Sequence, residues 1–378
     1  MKLIHLSDLH IGKRVNEFSM IEDQSYILEQ ILAIIKEQAP QAVLIAGDVY
    51  DKTIPSCEAV SLLDDFLVKL SKLNVQVFII GGNHDSQERL SFGSRLIEES
   101  GIHISSAYSG KVEPYTLTDE YGEVRIYPLP FVKPSNIQAI TQRKIDSYTE
   151  AIKVAIDEME IDESKRNVLI THQFVTGAER SESEECSVGG TDNVDASVFS
   201  PFDYVALGHI HKPQSCGASR IRYCGTPLKY SFSEAKDKKS VSVALLGKKG
   251  ELHIDEVPLV PLHDMVKIRG TYEELMKKDF YEGTTLKTDY VHITLTNEED
   301  VVDAMGTLRI IYKNLMKIEY DNQRTRLDAE IDGANDVDKK SPLELFEELY
   351  LLQNNKEMSK EQRELSRKLI EKIWEDKV

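Results

Sequence analysis

The chain has 378 residues, 41% of them hydrophobic and 29% charged, and it is longer than one hydrophobic core usually supports, so two domains are expected. No apolar run reaches the ~18 residues of a membrane span, Met1–Asp8 lacks the pattern of a secretory signal, and four cysteines (Cys57, Cys186, Cys216, Cys224) without C-x-x-C spacing exclude a disulfide scaffold and suit a reducing cytoplasm. The formal charge of −18 argues against a general polyanion binder, because affinity for nucleic acid rests on neutralising phosphates.

Along the chain, Lys2–Leu6, Ala42–Ala46 and Val75–Ile80 are short apolar runs bounded by turn residues, and they read as buried strands. Between them, Tyr26–Lys36 carries Ile27, Ile31, Ile34 and Ile35 at helical spacing, and Glu58–Leu73 carries Val60, Leu63, Leu67 and Leu70. This alternation predicts an α/β domain with a parallel sheet covered by helices. Further strands are expected at Val168–Thr171, Tyr204–Leu207 and Val241–Leu245, closing a first domain over residues 1–262. Residues 263–327 predict a small α+β domain: an extended segment with Val266 and Ile268, a helix Tyr272–Lys278, a strand with Val291, Ile293 and Leu295, a helix Glu298–Lys313 and a strand Met316–Tyr320. An acidic, aperiodic stretch at 328–340 reads as a linker. Two helix starts follow within 341–378, Ser341-Pro342-Leu343-Glu344 and Ser359-Lys360-Glu361-Gln362, each with a cap and an acid or amide three residues on. The second helix aligns Leu365, Leu369 and Ile373, with Ile370 and Trp374 beside them.

Five short sequences share one property, that each closes a predicted strand, and in open α/β sheets that edge is where ligands bind. They are Asp8-Leu9-His10, Gly47-Asp48, Gly82-Asn83-His84-Asp85, Thr171-His172 and Gly208-His209-Ile210-His211, and they hold five of the ten histidines. In an extended segment residues two apart share a face, so Asp8 and His10 are expected to grip one ion, and His209 and His211 to project together. Carboxylate, amide and imidazole form a mixed oxygen and nitrogen set suited to manganese, iron, zinc or cobalt. Seven such side chains, Asp8, His10, Asp48, Asn83, His172, His209 and His211, are too many for one ion and suit two sharing a carboxylate. Each motif alone reads more plainly as a turn or helix cap; all five in this order do not.

The ordered set D-x-H, G-D, G-N-H-D, T-H, G-H-x-H is similar to that of the calcineurin-like metallophosphoesterase superfamily. Asp8-Leu9-His10-Ile11-Gly12-Lys13, Gly47-Asp48-Val49-Tyr50-Asp51 and Gly208-His209-Ile210-His211-Lys212-Pro213-Gln214 resemble, within it, the SbcD family of bacterial nuclease subunits, as does Tyr223-Cys224-Gly225-Thr226-Pro227-Leu228-Lys229-Tyr230-Ser231-Phe232-Ser233-Glu234, with Thr226 where serine is usual. The resemblance implies a sandwich of β-sheets flanked by helices, a capping domain and a C-terminal helix pair that docks on an SbcC-type coiled-coil ATPase. It implies two Mn2+ or other divalent transition-metal ions. Asp8, His10 and His211 would hold one, Asn83, His172 and His209 the other, with Asp48 bridging and His84 as a catalytic non-ligand. The implied activity is cleavage of DNA ends and hairpins by hydroxide attack on the phosphodiester, as an exonuclease and endonuclease in DNA repair and recombination, by a homodimer in the nucleoid. The five motifs alone equally suit a phosphoesterase of a small cyclic nucleotide or phosphomonoester.

Asp85 is placed to orient the His84 ring or to cap the following helix. The homodimer would use the helices near 26–36 and 58–73. Candidate DNA contacts are Lys13, Arg14, Arg89 and the basic stretch 212–249. The acidic charge is uneven: residues 155–195 carry −8 and residues 297–338 carry −6, which leaves −4 for the rest of the chain, where every predicted site motif but Thr171-His172 lies.

Overall fold

The computed structural model describes residues 1–184, 192–323, 325, 342–354 and 356–375. The expected linker at 328–340, Cys186, the Ser341 cap and the side chains of Ile373 and Trp374 lie outside the described residues. The chain divides into two compact units, Met1–Met265 and Val266–Val378.

The first unit holds two six-stranded sheets, the sandwich that the resemblance implies, where the strand and helix alternation by itself predicted only a parallel sheet. In the first sheet Lys2–Leu6, Ala42–Ala46, Gln76–Ile80 and Ile102–Ile104 run parallel, and Ser240–Leu246 with Leu252–Pro258 adds an antiparallel hairpin on the Lys2–Leu6 side. In the second, Gly122–Pro128, Arg166–His172, Tyr204–Gly208 and Ala218–Tyr223 are parallel, with Tyr115–Asp119 and Gln214–Cys216 as antiparallel edges. Strand alternation sorts the side chains. Leu3, Leu44, Ala46, Phe78 and Ile80 of the first sheet meet Ile126, Val168, Ile170, Tyr204 and Ala206 of the second in one core.

The residues between these point the other way and are equally buried, which is why the strands read as unbroken apolar runs. On the first sheet they are Ile4, Val43, Ile45, Val77 and Ile79. The crossover helices Ile21–Gln38 and Cys57–Ser71 bury Ile27, Ile31, Leu63 and Leu70. On the second sheet Leu169, Val205 and Leu207 pack with Ala151, Ile152, Ala155 and Ile156 of the helix Tyr148–Asp157. Every parallel strand therefore ends in the same direction as its neighbours, and the loops after them gather at one rim.

The second unit contains a three-stranded sheet, Met265–Gly270, Tyr290–Leu295 and Asn314–Tyr320, over a core of Leu275, Val291, Ile293, Leu308, Tyr312 and Leu315. The helix expected over Glu298–Lys313 shrinks to Ala304–Leu308. β-Branched Val301 and Val302 precede it, and Asp303, in a left-handed conformation (φ 48°), caps Gly306 N and starts the helix late. Tyr272–Lys278 is likewise split, into Tyr272–Leu275, started by a Thr271–Glu274 capping box, and Lys278–Tyr281. Pro342–Asn354 and Lys360–Glu375 form the C-terminal helices. The Ser359 capping box is realised on both sides: Gln362 N donates to Ser359 Oγ at 3.2 Å and Ser359 N to Gln362 Oε1 at 2.8 Å. Phe346, Leu349, Leu351, Leu365 and Leu369 on this pair are exposed.

Candidate metal centre

The five motifs meet at the rim where the parallel strands of both sheets end. Four of their residues occupy the left-handed backbone region that ordinary side chains avoid: Asp8 (φ 52°), His10 (45°), Asp48 (48°) and His209 (101°). Such conformations cost roughly 1–3 kcal/mol each and persist only where surrounding bonds over-determine them. Here Asp8 N donates to Gly47 O (3.0 Å), His10 N to Asp48 O (2.9 Å), His84 N to Asp48 Oδ1 (2.9 Å) and His209 N to Asp8 Oδ1 (3.0 Å). Asp8 and His10 thus converge through a tight turn and not through the extended pleat expected. The turn at His209 sends His209 and His211 to different partners for the same reason.

The side chains fall into two groups. Asp8, His10 and His211 place ligand atoms within 4.8 Å of one another, with His10 Nε2 3.2 Å from His211 Nε2. In the other, Asn83 Oδ1 lies 2.9 Å from both His172 Nε2 and His209 Nδ1. Asp48 stands between them, its Oδ2 3.3 Å from His172 Nε2 and 3.8 Å from His10 Nε2.

The proton assignments show that these atoms suit a cation. Ala46 O can only accept, so His172 Nδ1, at 2.8 Å, carries the hydrogen; its Nε2 lone pair then faces the Asp48 carboxylate in a buried site. His211 Nδ1 donates to Ser183 Oγ at 2.6 Å, and Ser183 in turn donates to Glu234 Oε1, so His211 Nε2 also offers a lone pair, toward His10 and Asp8. Lone pairs and carboxylates converging without hydrogens need a proton or a metal among them. Burial opposes charge on His172, but the Asp48 carboxylate outweighs it and raises the imidazole to about 9. Asp48 is correspondingly held well below the carboxylate range, burial being overcome by His172. Burial pushes His211 and His209 down to about 3, leaving them neutral and fit to ligate.

His84 stands apart: its side chain is 19% exposed, while those of His10, His172 and His211 are no more than 3% exposed. Its Nδ1 donates to Asp51 O at 2.9 Å, which turns Nε2 toward the centre, 3.9 Å from Asp48 Oδ2. Asp85 neither orients this ring nor caps the next helix, whose cap is Ser86. Its carboxylate accepts from Val49 N, Tyr50 N and Gly82 N at 2.9–3.0 Å, stitching the Asp48 loop to the Asn83 loop.

The signature segment 223–234 frames the site. Tyr230 donates to Leu9 O (2.6 Å), Thr226 to Leu228 O (2.6 Å), and Glu234 Oε2 accepts from Lys239 Nζ (2.6 Å), which also donates to His211 O (2.8 Å). Ser183 and Glu184, whose carboxylate accepts from His211 N at 2.6 Å, carry no motif that sequence reasoning could single out. Glu234 did carry a signal, as one of only two acids in the basic stretch 212–249. Replacing Glu234 by glutamine, which leaves buried Lys239 without its anion, is expected to weaken metal affinity by about 10–100-fold, read by calorimetric titration.

Most of that basic stretch is internally paired: Lys212 with Glu179, Arg222 with Glu256, Lys229 with Asp264, Lys239 with Glu234 and Lys249 with Asp203. Lys13 pairs with Asp51 at 2.7 Å. Arg14 and Arg89 are exposed and bond main-chain oxygens, Glu17 O and Thr53 O.

The approach of the two sheets depends on Gly208. A β-carbon there would fall inside the contact radius of Ala46 O, a backbone atom of the opposite sheet, and press on the His172 ring. Gly208→Ala is expected to cost about 1–3 kcal/mol or more by overpacking, measured by urea unfolding, together with reduced metal uptake.

Residues 1–213 match the family model for calcineurin-like phosphoesterases, and residues 261–354 match that described as the type 5 capsule protein repressor C-terminal domain. Two solved structures are distant likenesses: a dimetal phosphatase from Danio rerio (13% identity, TM-score 0.41, covering 69% of this chain and 96% of that one) and a protein from Thermus thermophilus (11%, 0.38, 68% and 98%). The fold and the family match define a calcineurin-like phosphoesterase. The SbcD component of the SbcCD nuclease of Staphylococcus epidermidis is 35% identical over 323 residues, covering 84% of this chain and 85% of the relative. The chain belongs to the SbcD family.

Proposed function

We propose that this chain is a two-metal DNA phosphodiesterase, an exonuclease on duplex ends and an endonuclease on single strands and hairpins, dependent on manganese and acting with an SbcC-type ATPase in DNA repair and recombination. The observation that carries this reading is the Asp48 carboxylate between two groups of carboxyl, amide and imidazole donors, with one partly exposed imidazole at the mouth. Asp8, His10 and His211 would hold one ion, and Asn83, His172 and His209 the other. A bound pair of divalent ions activates water and neutralises charge on the phosphate. The chain's own contribution is positional: Asp48 and Asp8 keep the two groups in register, and His84 Nε2 faces the scissile phosphate, where it stabilises charge and protonates the leaving 3′-oxygen.

Arg14 and Arg89 are suited to backbone phosphates, contacts that position DNA without reading its sequence. The helix pair 342–375, with its exposed leucines and Phe346, suits a groove on the ATPase. Tyr26, Val60 and Val68, exposed on the two crossover helices, support a homodimer. No helix among the described residues is long and apolar enough to cross a membrane, and a partner that processes chromosomal ends implies work in the nucleoid.

The test is to incubate the purified chain and Mn2+ with hairpin and single-stranded DNA beside cyclic nucleotides and phosphomonoesters. DNA cleavage is expected; turnover of the small substrates alone would replace this reading by a small-molecule phosphoesterase.

A further inference from the structure

Asp51 belongs to neither group of metal-facing donors, yet it touches two of the site's histidines. Its Oδ1 lies 3.5 Å from His10 Nδ1, a buried nitrogen with no hydrogen-bond partner among the described residues. Its main-chain carbonyl accepts from His84 Nδ1 at 2.9 Å. Its own N donates to Ile11 O at 3.2 Å, which ties the Asp48 loop to the Asp8–His10 loop. Lys13 Nζ holds the same Oδ1 at 2.7 Å and sits 5.5 Å above the Tyr230 ring, so the carboxylate cannot swing away from His10. The His10 and His84 rings meet edge to face with centroids 4.8 Å apart.

A metal-facing histidine as a rule donates its other ring N–H to an outer acceptor, which fixes its tautomer and raises its basicity. For His172 that acceptor is Ala46 O, and for His211 it is the Ser183 hydroxyl backed by Glu234. For His10 the described residues offer Asp51 alone. We propose that Asp51 is a positioning residue that sets His10 for metal binding through its carboxylate and His84 for the phosphate through its carbonyl. Ligand and acid are thereby referred to one backbone position, and Lys13 is the clamp on that carboxylate and not a contact to DNA. Because the two roles use different atoms, a side-chain change separates them: it weakens the hold on His10 and leaves the carbonyl under His84.

This inference rests on the two-metal reading, and its test needs no DNA for the primary measurement. Manganese binding to the full chain is titrated by calorimetry for the wild type and Asp51→Asn, and cleavage is followed against manganese concentration. Asp51→Asn is expected to weaken manganese binding by about 10–100-fold and to raise the manganese needed for half-maximal cleavage by a similar factor, with kcat restored at saturating metal. Lys13→Met, which frees the Asp51 carboxylate, is expected to weaken manganese binding in the same direction as Asp51→Asn and by no more than that variant does. Wild-type manganese affinity in Asp51→Asn overturns the proposal. A kcat that stays low at saturating manganese, with a lowered unfolding temperature, also overturns it, since that marks a purely structural residue. Wild-type manganese affinity in Lys13→Met removes the clamp. A wild-type chain that binds manganese but cuts no DNA sinks the nuclease reading instead, while the calorimetric comparison still decides this one.

Discussion

Replacing His84 by alanine is expected to lower DNA cleavage by about 10²–10⁴-fold, the usual contribution of a positioned acid or base, with the metal content unchanged. The reason is geometric. His84 is held by Asp51 O through Nδ1, its ring is the more exposed one at the centre, and its Nε2 is 3.9 Å from Asp48 Oδ2, farther than His172 Nε2 at 3.3 Å. The outcome discriminates because His10, Asp48 and His84 also form a group able to hold an ion. Metal analysis of the variant settles the matter: if one ion is lost along with activity, His84 is a ligand and the role given to it is wrong. His84→Gln provides a second variant, since it keeps a hydrogen-bond donor near the phosphate while removing a transferable proton.

Exchanging Arg166 for methionine is expected to destabilise the chain by about 1–3 kcal/mol, the cost of leaving buried acceptors without their charged donor, because Asp119 keeps a second cation, the Met1 ammonium, at 2.7 Å. The guanidinium closes the far end of the sandwich. It donates to Asp119 Oδ2 (3.0 Å), also pairs with Asp119 Oδ1, and donates to Gly122 O (2.8 Å) and Gly247 O (2.9 Å), so one side chain fastens the edge of the second sheet to the hairpin of the first. Its side chain is 4% exposed and that of Asp119 8%. The Arg166 hydrogen bond holds the Asp119 carboxyl below the ordinary value of 3.8, outweighing burial. A carboxylate depressed on folding contributes stability that is complete above its unfolded pKa and lost as pH falls through its folded pKa. The stability gap between wild type and Asp119→Asn should therefore be constant from neutral pH to about pH 4 and narrow below it. Urea unfolding at pH 7 and pH 3 measures this, and an unchanged gap would show that ionisation of Asp119 contributes nothing.

Much of the centre was readable from local sequence because its chemistry is local. A divalent ion accepts few side-chain types, the loops that carry them follow apolar strands, and a strand announces its end by its own composition. Asp8, His10, Asp48, Asn83, His172, His209 and His211 could be named on that ground, His84 was singled out by the family resemblance, and the structure brings all eight to one rim. The charge was readable in the same way: the acidic load sits in 155–195 and 297–338, and the rest of the chain, with every site motif but Thr171-His172, carries −4.

Partners distant in sequence were not readable. Asp85 looked like a companion of His84, yet it bonds the amides of Val49, Tyr50 and Gly82. The ion pair between Lys13 and Asp51 joins two motifs that lie 38 residues apart and gave no sign of it. The helix expected over Glu298–Lys313 has the right spacing but leaves Val302 and Ile310 exposed, so periodicity found no surface to bury against. Composition and periodicity dictate which segments are strands and which residues can bind metal, because those depend on the residue and its near neighbours. Whether the strands form one sheet or two, and which carboxylate faces which imidazole, depends on free energy shared between segments far apart in the chain, and that is resolved only when they pack.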